Sequence, residues 1–412
     1  FSFFFRCLSK TLSSVAGQLL LSLFLSLSEM ADNKPSLFCP GQDQTCNILS
    51  FDGGGIRGYM SCLMFQRYCE TLQKYEVDNG YSRADESLDE FALRVVREKF
   101  DLICGTSIGG IITLMFALET PLSKIIQLFE DEKETIFHKE WLIERAAGKP
   151  KYESKGLHEV AEKVVKMYQA TLPAEDPRKR MAATEFRMKD VPLKCAMATF
   201  DLETNNVMLF HNLEGDSTLG SDRVDFSLSP VVDVALSTSA APTYFPIHDF
   251  HVQNHKFLCI DGGVWANDPR LAVMFLLTID GKLNHQPGPK LRKFCIQAFG
   301  TGQYVSYRKT GPQNSVGWMV GDPNIIDVIL GASENMVTRM INEMSEVEYA
   351  LQNKLQVHMD EAMGLDDVKS LPKQRKYVEA LDEQDFIDAL ALGVRMGVKY
   401  GLKDGSCPCK AK

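Results

Sequence analysis

The stretch CNILSFDGGGIRG, residues 46–58, joins a short apolar run to three consecutive glycines. An apolar run of this length before a glycine turn is typical of a buried strand, and a helical pattern follows from about 59 to 75. Three glycines in a row expose successive backbone N–H groups with no side chains in the way, which makes a cradle for an anion. The stretch therefore predicts a strand, an anion-binding turn and a helix in direct succession.

The same order of strand, glycine turn and helix recurs along the chain. Strands are predicted over 46–51, 100–104, 193–200, 206–210, 257–260 and 293–299, and helices over 59–75, 108–118, 231–237 and 271–279. This alternation predicts an α/β fold of three layers, in which helices sandwich a mainly parallel central sheet. In such sheets function gathers at the carboxyl ends of strands, and every glycine cluster here falls at a predicted strand end.

One domain is expected over residues 46–400, followed by a tail over 401–412. Within the domain, the charged and helical segment 121–190 reads as an insertion that covers one side of the sheet. The part over 303–400 is expected to be helical, because apolar residues recur at helical spacing from about 324 to 400.

Residues 1–45 are set apart as a presequence or an artefact of upstream translation. Arg6 and Lys10 precede a short apolar run over 15–27, which resembles a signal peptide and would make the protein secreted or vacuolar. The alternative is that translation starts at Met30, which predicts a cytoplasmic protein that associates peripherally with membranes. The 11 cysteines show no regular spacing and favour a reducing compartment, and therefore the second interpretation.

The charge balance bears on the partners. The 412 residues include 45 Lys and Arg against 54 Asp and Glu, a net charge of −9, which argues against a nucleic-acid-binding protein. It leaves contact with a membrane surface open, because a local patch can oppose the net charge. No clear cluster of metal-ligating residues stands in the sequence, so neither a metal nor a cofactor is expected. The oligomeric state is not indicated.

The pentapeptide Gly105-Thr106-Ser107-Ile108-Gly109 matches the G-x-S-x-G pattern between a predicted strand and a predicted helix. Its glycines allow a sharp turn, and its serine hydroxyl is then presented at the helix N-terminus, whose dipole favours an oxyanion. This context predicts a nucleophilic serine at a strand end, and the alternative is a tight turn with a capping serine.

Two further motifs end predicted strands. Gly53, Gly54 and Gly55 offer an oxyanion hole for acyl transfer, and Arg57 beside them would stabilise the loop or meet an anionic headgroup. The sequence Asp261-Gly262-Gly263 supplies a carboxylate, or else marks an ordinary Asp–Gly turn.

Together, and in this order, DGGGIRG at 52–58, GTSIG at 105–109 and DGG at 261–263 resemble the patatin-like phospholipase family, with support from STSAAPTYFP at 237–246. The resemblance implies metal-independent hydrolysis of fatty-acyl esters in membrane or micellar lipid through an acyl-enzyme. It implies Ser107 as the nucleophile, Asp261 as the general base and an oxyanion hole formed by Gly53, Gly54, Gly55 and Arg57.

Three other functions stay open at this point. An α/β-hydrolase triad could use Ser107 and Asp261 with His285 or His358. A lipid-binding or storage protein could keep the fold without catalysis. Finally, Gly53, Gly55 and Gly58 fit the dinucleotide-binding pattern G-x-G-x-x-G, so dinucleotide binding at the glycine loop is a further alternative.

Overall fold

The computed structural model describes residues 45–80, 85–137, 150–213, 217–219, 222–279, 293–304, 325–346 and 350–398. The predicted presequence before residue 45, the tail over 401–412 and His285 lie outside these described residues.

The described strands and helices alternate as the sequence predicts. The strands are β1 (Thr45–Phe51), β2 (Leu102–Thr106), β3 (Cys195–Asp201), β4 (Asn206–His211), β5 (Ser217–Leu219), β6 (Asp222–Val224), β7 (His248–Val252), β8 (His255–Asp261), β9 (Lys293–Phe299), β10 (Gln303–Tyr304), β11 (Ala350–Leu355) and β12 (His358–Met359). The helices are α1 (Gly58–Asp78), α2 (Leu88–Lys99), α3 (Ile108–Ala117), α4 (Leu122–Ile136), α5 (Lys155–Thr171), α6 (Val231–Ser239), α7 (Gly263–Ala266), α8 (Arg270–Ile279), α9 (Ile325–Glu346), α10 (Leu371–Glu379) and α11 (Glu383–Val398).

The central sheet is mainly parallel, as predicted. Its strands lie in the order β11, β9, β1, β2, β3, β8 and β7, and β4 also pairs with β3. The five strands from β11 to β3 run parallel to their neighbours, whereas β4, β7 and β8 pair antiparallel. The parallel strands therefore end at one common edge, where β1, β2 and β9 deliver their glycine turns.

Helices cover both faces of the sheet, which confirms the predicted three layers. Leu49 and Phe51 of β1 pack into a core with α1 and α3, whereas Cys46 and Ile48 pack into a second core with α8 and α9. Successive side chains of a strand point to opposite faces, so a strand buried on both faces reads as a continuous apolar run. The two cores give the physical reason for the short apolar runs in the sequence.

The helical prediction for 324–400 is confirmed by α9, α10 and α11 but is wrong for the short strand β12 and for β11, which extends the parallel sheet beyond β9. The sequence ALQNKL hides this strand, because its middle residues are polar. Their partners come from elsewhere in the fold: Arg270 donates to Gln352, and Gln297 donates to Asn353. Only tertiary contacts satisfy a strand of this composition, so periodicity could not reveal it.

Helix α3 packs against the end of β1 without space for a side chain between them. A Cβ atom at Gly109 would lie 2.2 Å from the Phe51 carbonyl oxygen and 2.6 Å from that of Asp52, whereas one at Gly331 in α9 would meet nothing within 4 Å. We therefore expect Gly109→Ala to lower the free energy of unfolding by about 1–3 kcal/mol or more, because backbone must move.

The matched control is Gly331→Ala, which we expect to raise the same free energy by about 0.5–1 kcal/mol, because alanine stabilises a helix interior. Urea unfolding followed by circular dichroism measures both. Equal midpoints for the two variants would contradict the close packing of α3 on β1.

Candidate active site

Ser107 lies on a strained turn between β2 and α3. Its backbone angles are φ 57° and ψ −125°, a conformation that non-glycine residues rarely adopt. The turn is held by Thr238, whose hydroxyl oxygen accepts the Ser107 N–H at 3.0 Å and donates to the Ala198 carbonyl at 2.6 Å. The predicted G-x-S-x-G turn is therefore present, with its serine at the N-terminus of α3.

The two glycines of this turn have a steric reason. A Cβ atom at Gly105 would lie 2.0 Å from the Gly109 carbonyl oxygen, and Gly109 itself lies against the end of β1. The close approach of strand and helix thus requires glycine at both positions.

Asp261 reaches Ser107 through the pairing of β3. One edge of β3 pairs with β4 along 196–201, so β2 and β8 share the other edge, at 195–198 and 199–201 respectively. Because β2 is parallel and β8 antiparallel to β3, their carboxyl ends meet. Thr106 lies opposite Ala198 and Asp261 lies opposite Thr199, which places Asp261 beside the residue that follows Thr106.

The Asp261 carboxylate is buried and has few partners. Burial raises its pKa to about 6, although hydrogen bonds from the Ser107 hydroxyl and from the Gly263 N–H partly oppose this rise. The Gly263 N–H donates to Oδ1 at 2.7 Å. Gly262 is also required, since a Cβ atom there would lie 2.3 Å from the Ala198 carbonyl oxygen. The DGG motif thus holds a weakly solvated carboxylate that is ionised at neutral pH.

Gly53 is held in the fold through both its backbone N–H and its carbonyl. The Gly53 N–H donates to the Asn267 carbonyl at 2.9 Å, and the Gly53 carbonyl accepts the Thr301 hydroxyl at 2.8 Å. The N–H of Gly53, which the sequence assigned to the oxyanion hole, is therefore already engaged within the fold. In a trans peptide the N–H points opposite to the C=O, so the Gly54 N–H faces away from Thr301.

The Gly54–Gly55 peptide is held through its carbonyl oxygen. The Gly54 carbonyl accepts the Arg57 N–H at 3.2 Å and the Arg57 Nε–H at 3.4 Å, which turns the Gly55 N–H to the opposite side. Gly54 and Gly55 both line the pocket above Ser107. Arg57 thus contacts the backbone of the loop, and it is not one of the described residues that line the pocket.

The pocket over Ser107 and Asp261 is predominantly apolar. Its walls come from α3, the end of α4, the start of α5, the segment after α6, the start of α9 and the loop before α10, with Ile111, Phe137, Leu157, Phe245, Leu330 and Leu365 as representative side chains. Helices α4 and α5 belong to the predicted 121–190 insertion, so that segment supplies part of the wall. An apolar group therefore fits these walls better than a charged one.

Three residues that position the site were not assigned by the sequence. Thr238 holds the Ser107 turn, Thr301 clamps Gly53, and Asn267 accepts the Gly53 N–H. Thr238 lies in STSAAPTYFP, which the sequence analysis marked as a supporting stretch without giving this residue a role, and Thr301 lies in the Gly300-Thr301-Gly302 turn after β9. No histidine lines the described pocket, and His358 is exposed on β12.

Two properties of the described residues bear on cofactors and membranes. No group of three or more His, Cys, Asp and Glu side chains within them has the geometry to hold a metal ion. None of the described helices is long and apolar enough to cross a membrane.

Comparison with known proteins assigns the family. The model of the patatin-like phospholipase family matches residues 49–274, which is more than half of the chain and contains all three motifs. The chain belongs to the patatin-like phospholipase family. Membership makes the protein a lipid hydrolase.

The chain aligns over most of its length with relatives in plants. It is 25% identical to Patatin-like protein 2 of Arabidopsis thaliana over 367 residues, which cover 82% of this chain and 81% of the relative. It is 29% identical to Patatin-like protein 1 of Oryza sativa subsp. indica over 328 residues, which cover 72% and 70%. A crystal structure of the type III effector protein ExoU of Pseudomonas aeruginosa matches at a TM-score of 0.36 and 11% identity, over 85% of this chain and 53% of that one.

The raised pKa of Asp261 predicts a pH-dependent stability effect. The unfolded chain ionises this carboxyl near its ordinary pKa of 3.8, whereas the folded protein ionises it near 6, so stability falls as the pH rises through that window. We expect Asp261→Asn to raise the thermal midpoint by a few degrees at pH 8, since it removes a penalty of up to about 3 kcal/mol.

At pH 4 the effect should be small, because the folded carboxyl is then protonated and the unfolded one is only about half ionised. Thermal unfolding of both proteins at pH 4 and pH 8 measures it, with the exposed Asp249→Asn as the control. An equal shift at both pH values would contradict a buried, ionised Asp261.

Proposed function

We propose that the protein is a serine acyl hydrolase that cleaves fatty-acyl esters of phospholipids or related membrane lipids through a Ser107–Asp261 dyad. The observation that carries the proposal is the meeting of β2 and β8 on β3, which brings a strained serine and a buried carboxylate together below an apolar pocket. A nucleophile, a base and a row of backbone donors are the parts that acyl transfer needs.

The first half-reaction forms an acyl-enzyme. Asp261 takes the proton of the Ser107 hydroxyl while the serine oxygen attacks the ester carbonyl. The tetrahedral oxyanion is stabilised by the N–H groups of Gly54 and Gly55 and by the N-terminus of α3. The ester bond then breaks, and the leaving alcohol takes the proton from Asp261.

The second half-reaction restores the enzyme. Asp261 takes a proton from water, which attacks the acyl carbonyl, and the same backbone donors stabilise the second oxyanion. Collapse breaks the acyl–serine bond, returns the proton to Ser107 and releases a fatty acid. No step needs a metal, because the serine is activated by the carboxylate and the charge is stabilised by the backbone.

The geometry favours this chemistry over the rival functions. A Ser–Asp–His triad would need a histidine in the pocket, but none of the described residues that line it is a histidine, and His358 is exposed outside it. A dinucleotide would need open space over the glycine loop, whereas the Ile56 N–H donates to the Leu365 carbonyl and a Cβ atom at Gly55 would lie 2.1 Å from that same oxygen. The apolar walls fit an acyl chain, and no Lys, Arg or His side chain among the described residues lines the pocket to meet a pyrophosphate.

A defined lipid panel tests the activity. We expect the wild-type protein to release fatty acid from micelles of at least one of phospholipid, lysophospholipid, galactolipid or triacylglycerol, and Ser107→Ala to lose at least 1,000-fold in rate, because the acyl-enzyme cannot form. Lipid profiling by mass spectrometry measures this. Ser345→Ala, a helix serine away from the pocket, is the matched control and should keep the wild-type rate.

Substitution of His285 and of His358, one at a time, separates the dyad from the triad. Loss of activity with either variant would remove the dyad mechanism, as would unchanged hydrolysis by both Ser107→Ala and Asp261→Asn.

The pH dependence follows from the same carboxylate. A general base acts only when it is ionised, so kcat/KM should rise with pH through about 6 and level off above it, as burial of Asp261 sets that pKa. Hydrolysis of a soluble short-chain ester between pH 4 and pH 9 measures the profile. An acid limb near the ordinary carboxyl value of 3.8 would argue against Asp261 as the base.

A further inference from the structure

A buried cluster of charges lies behind the glycine loop, and the proposed chemistry does not use it. It contains three carboxylates and two cations, namely Asp52, Asp268, Glu334, Arg270 and Lys354. The side chains of Asp52 and Asp268 are at most 1% exposed, and that of Lys354 is 10% exposed. Burying charges is costly, so a cluster of this size at the foot of an active site calls for a reason.

Lys354 is the centre of the cluster. Its Nζ lies 2.5 Å from Asp52, 3.0 Å from Asp268 and 2.9 Å from Glu334. Burial alone would lower the pKa of Lys354, but Asp268, Asp52 and Glu334 raise it above its usual value, so the ammonium remains protonated. The ammonium donates hydrogen bonds to Asp268 and Glu334 and forms an ion pair with Asp52.

Each carboxylate belongs to a different segment that builds the candidate site. Asp52 directly precedes Gly53 in the glycine loop. Asp268 directly follows Asn267, whose carbonyl accepts the Gly53 N–H. Lys354 therefore joins the two loops by pairing with both Asp52 and Asp268, in addition to the hydrogen bond between the Gly53 N–H and the Asn267 carbonyl.

Glu334 extends the connection to the third loop. It accepts a hydrogen bond from Gln356 Nε2 at 2.8 Å, and Gln356 Oε1 accepts the Gly302 N–H at 2.7 Å. Gly302 follows Thr301, which clamps the Gly53 carbonyl. All three loops around the glycine cradle thus converge on one ammonium group, which comes from an edge strand outside the sequence motifs.

Arg270 does not duplicate this role. Its guanidinium donates to Asp268, Gln352 and Thr338. Among the described residues, Lys354 is the cation within 4.0 Å of all three carboxylates.

We propose that Lys354 is a positioning residue, whose ammonium holds the glycine loop, the Asn267–Asp268 loop and the Thr301 loop in the arrangement that aims the Gly54 and Gly55 N–H groups at the oxyanion. This inference rests on the proposed function. It predicts a defect in the chemical step, since a displaced donor weakens transition-state stabilisation while leaving the apolar pocket intact.

The test compares Lys354→Met, which keeps the length of the side chain, with Lys354→Arg, which keeps the charge. We expect Lys354→Met to lower kcat at least tenfold with KM within twofold of wild type, and Lys354→Arg to recover part of kcat. Lys163→Met is the matched control, because Lys163 forms a half-exposed pair with Glu132 at 2.5 Å. It should keep the wild-type values.

A second readout distinguishes positioning from a direct electrostatic effect on the base. Burial raises the pKa of Asp261, and hydrogen bonds from Ser107 and Gly263 lower it. Lys354 takes part in neither effect. The acid limb of kcat/KM should therefore stay near 6 in Lys354→Met while its plateau falls. The rate at which a fluorophosphonate labels Ser107 should fall in parallel, because that reaction also develops an oxyanion.

The double variant Asp52→Asn with Lys354→Met covers the case in which the single variant does not fold. Removing both members of a buried pair costs less than leaving one charge alone, so the double variant should fold, as circular dichroism would show. Its kcat should remain low, because Asp268 and Glu334 are no longer joined to the glycine loop.

Three results overturn the proposal: wild-type kcat in Lys354→Met, wild-type kcat in the folded double variant, or an acid limb that moves with the loss of Lys354. Failure of the proposed function itself looks different. In that case the wild-type protein shows no Ser107-dependent hydrolysis or fluorophosphonate labelling, before any Lys354 variant is made.

Discussion

The site depends on one edge of a single strand. Because β4 occupies one side of β3, both β2 and β8 must pair along the other, and they do so end to end from opposite directions. The register puts Thr106 opposite Ala198 and Asp261 opposite Thr199, so the nucleophile and the carboxylate become neighbours although 154 residues separate them. A slip of one residue in either pairing would turn these side chains to the other face of the sheet.

Around this junction the fold holds several costly features. Ser107 has a positive φ, Asp261 is an ionised carboxyl in a buried position, and Lys354 is a buried ammonium. Each would relax in an isolated loop, and each persists because rigid strands and helices surround it. The two packed cores stabilise the fold enough to offset the unfavourable free energy of these features. Active sites in enzymes commonly lower stability in this way.

Much of this was predictable from the residues. The predicted strands and helices up to Phe299 agree with the structure within three residues at each end, since buried parallel strands read as apolar runs and the glycines mark their ends. Gly105, Gly109 and Gly262 were identifiable for the same reason, because only glycine fits where backbone meets backbone. Strand β11 was missed, because the polar residues in the middle of this edge strand do not form the apolar pattern by which a strand is recognised in a sequence.

The sequence by itself determined the α/β class, the serine turn, the glycine loop and the carboxylate, because each depends on local backbone geometry that a few adjacent residues specify. Only the tertiary structure decided which of these groups meet, and how. In the folded chain the Gly53 N–H donates to the Asn267 carbonyl, and Thr301 and Arg57 donate to the carbonyls of Gly53 and Gly54. Lys354 pairs with Asp52, next to the same loop. These contacts join residues up to about 300 positions apart, and pairing register and side-chain packing, which no local pattern encodes, bring them together.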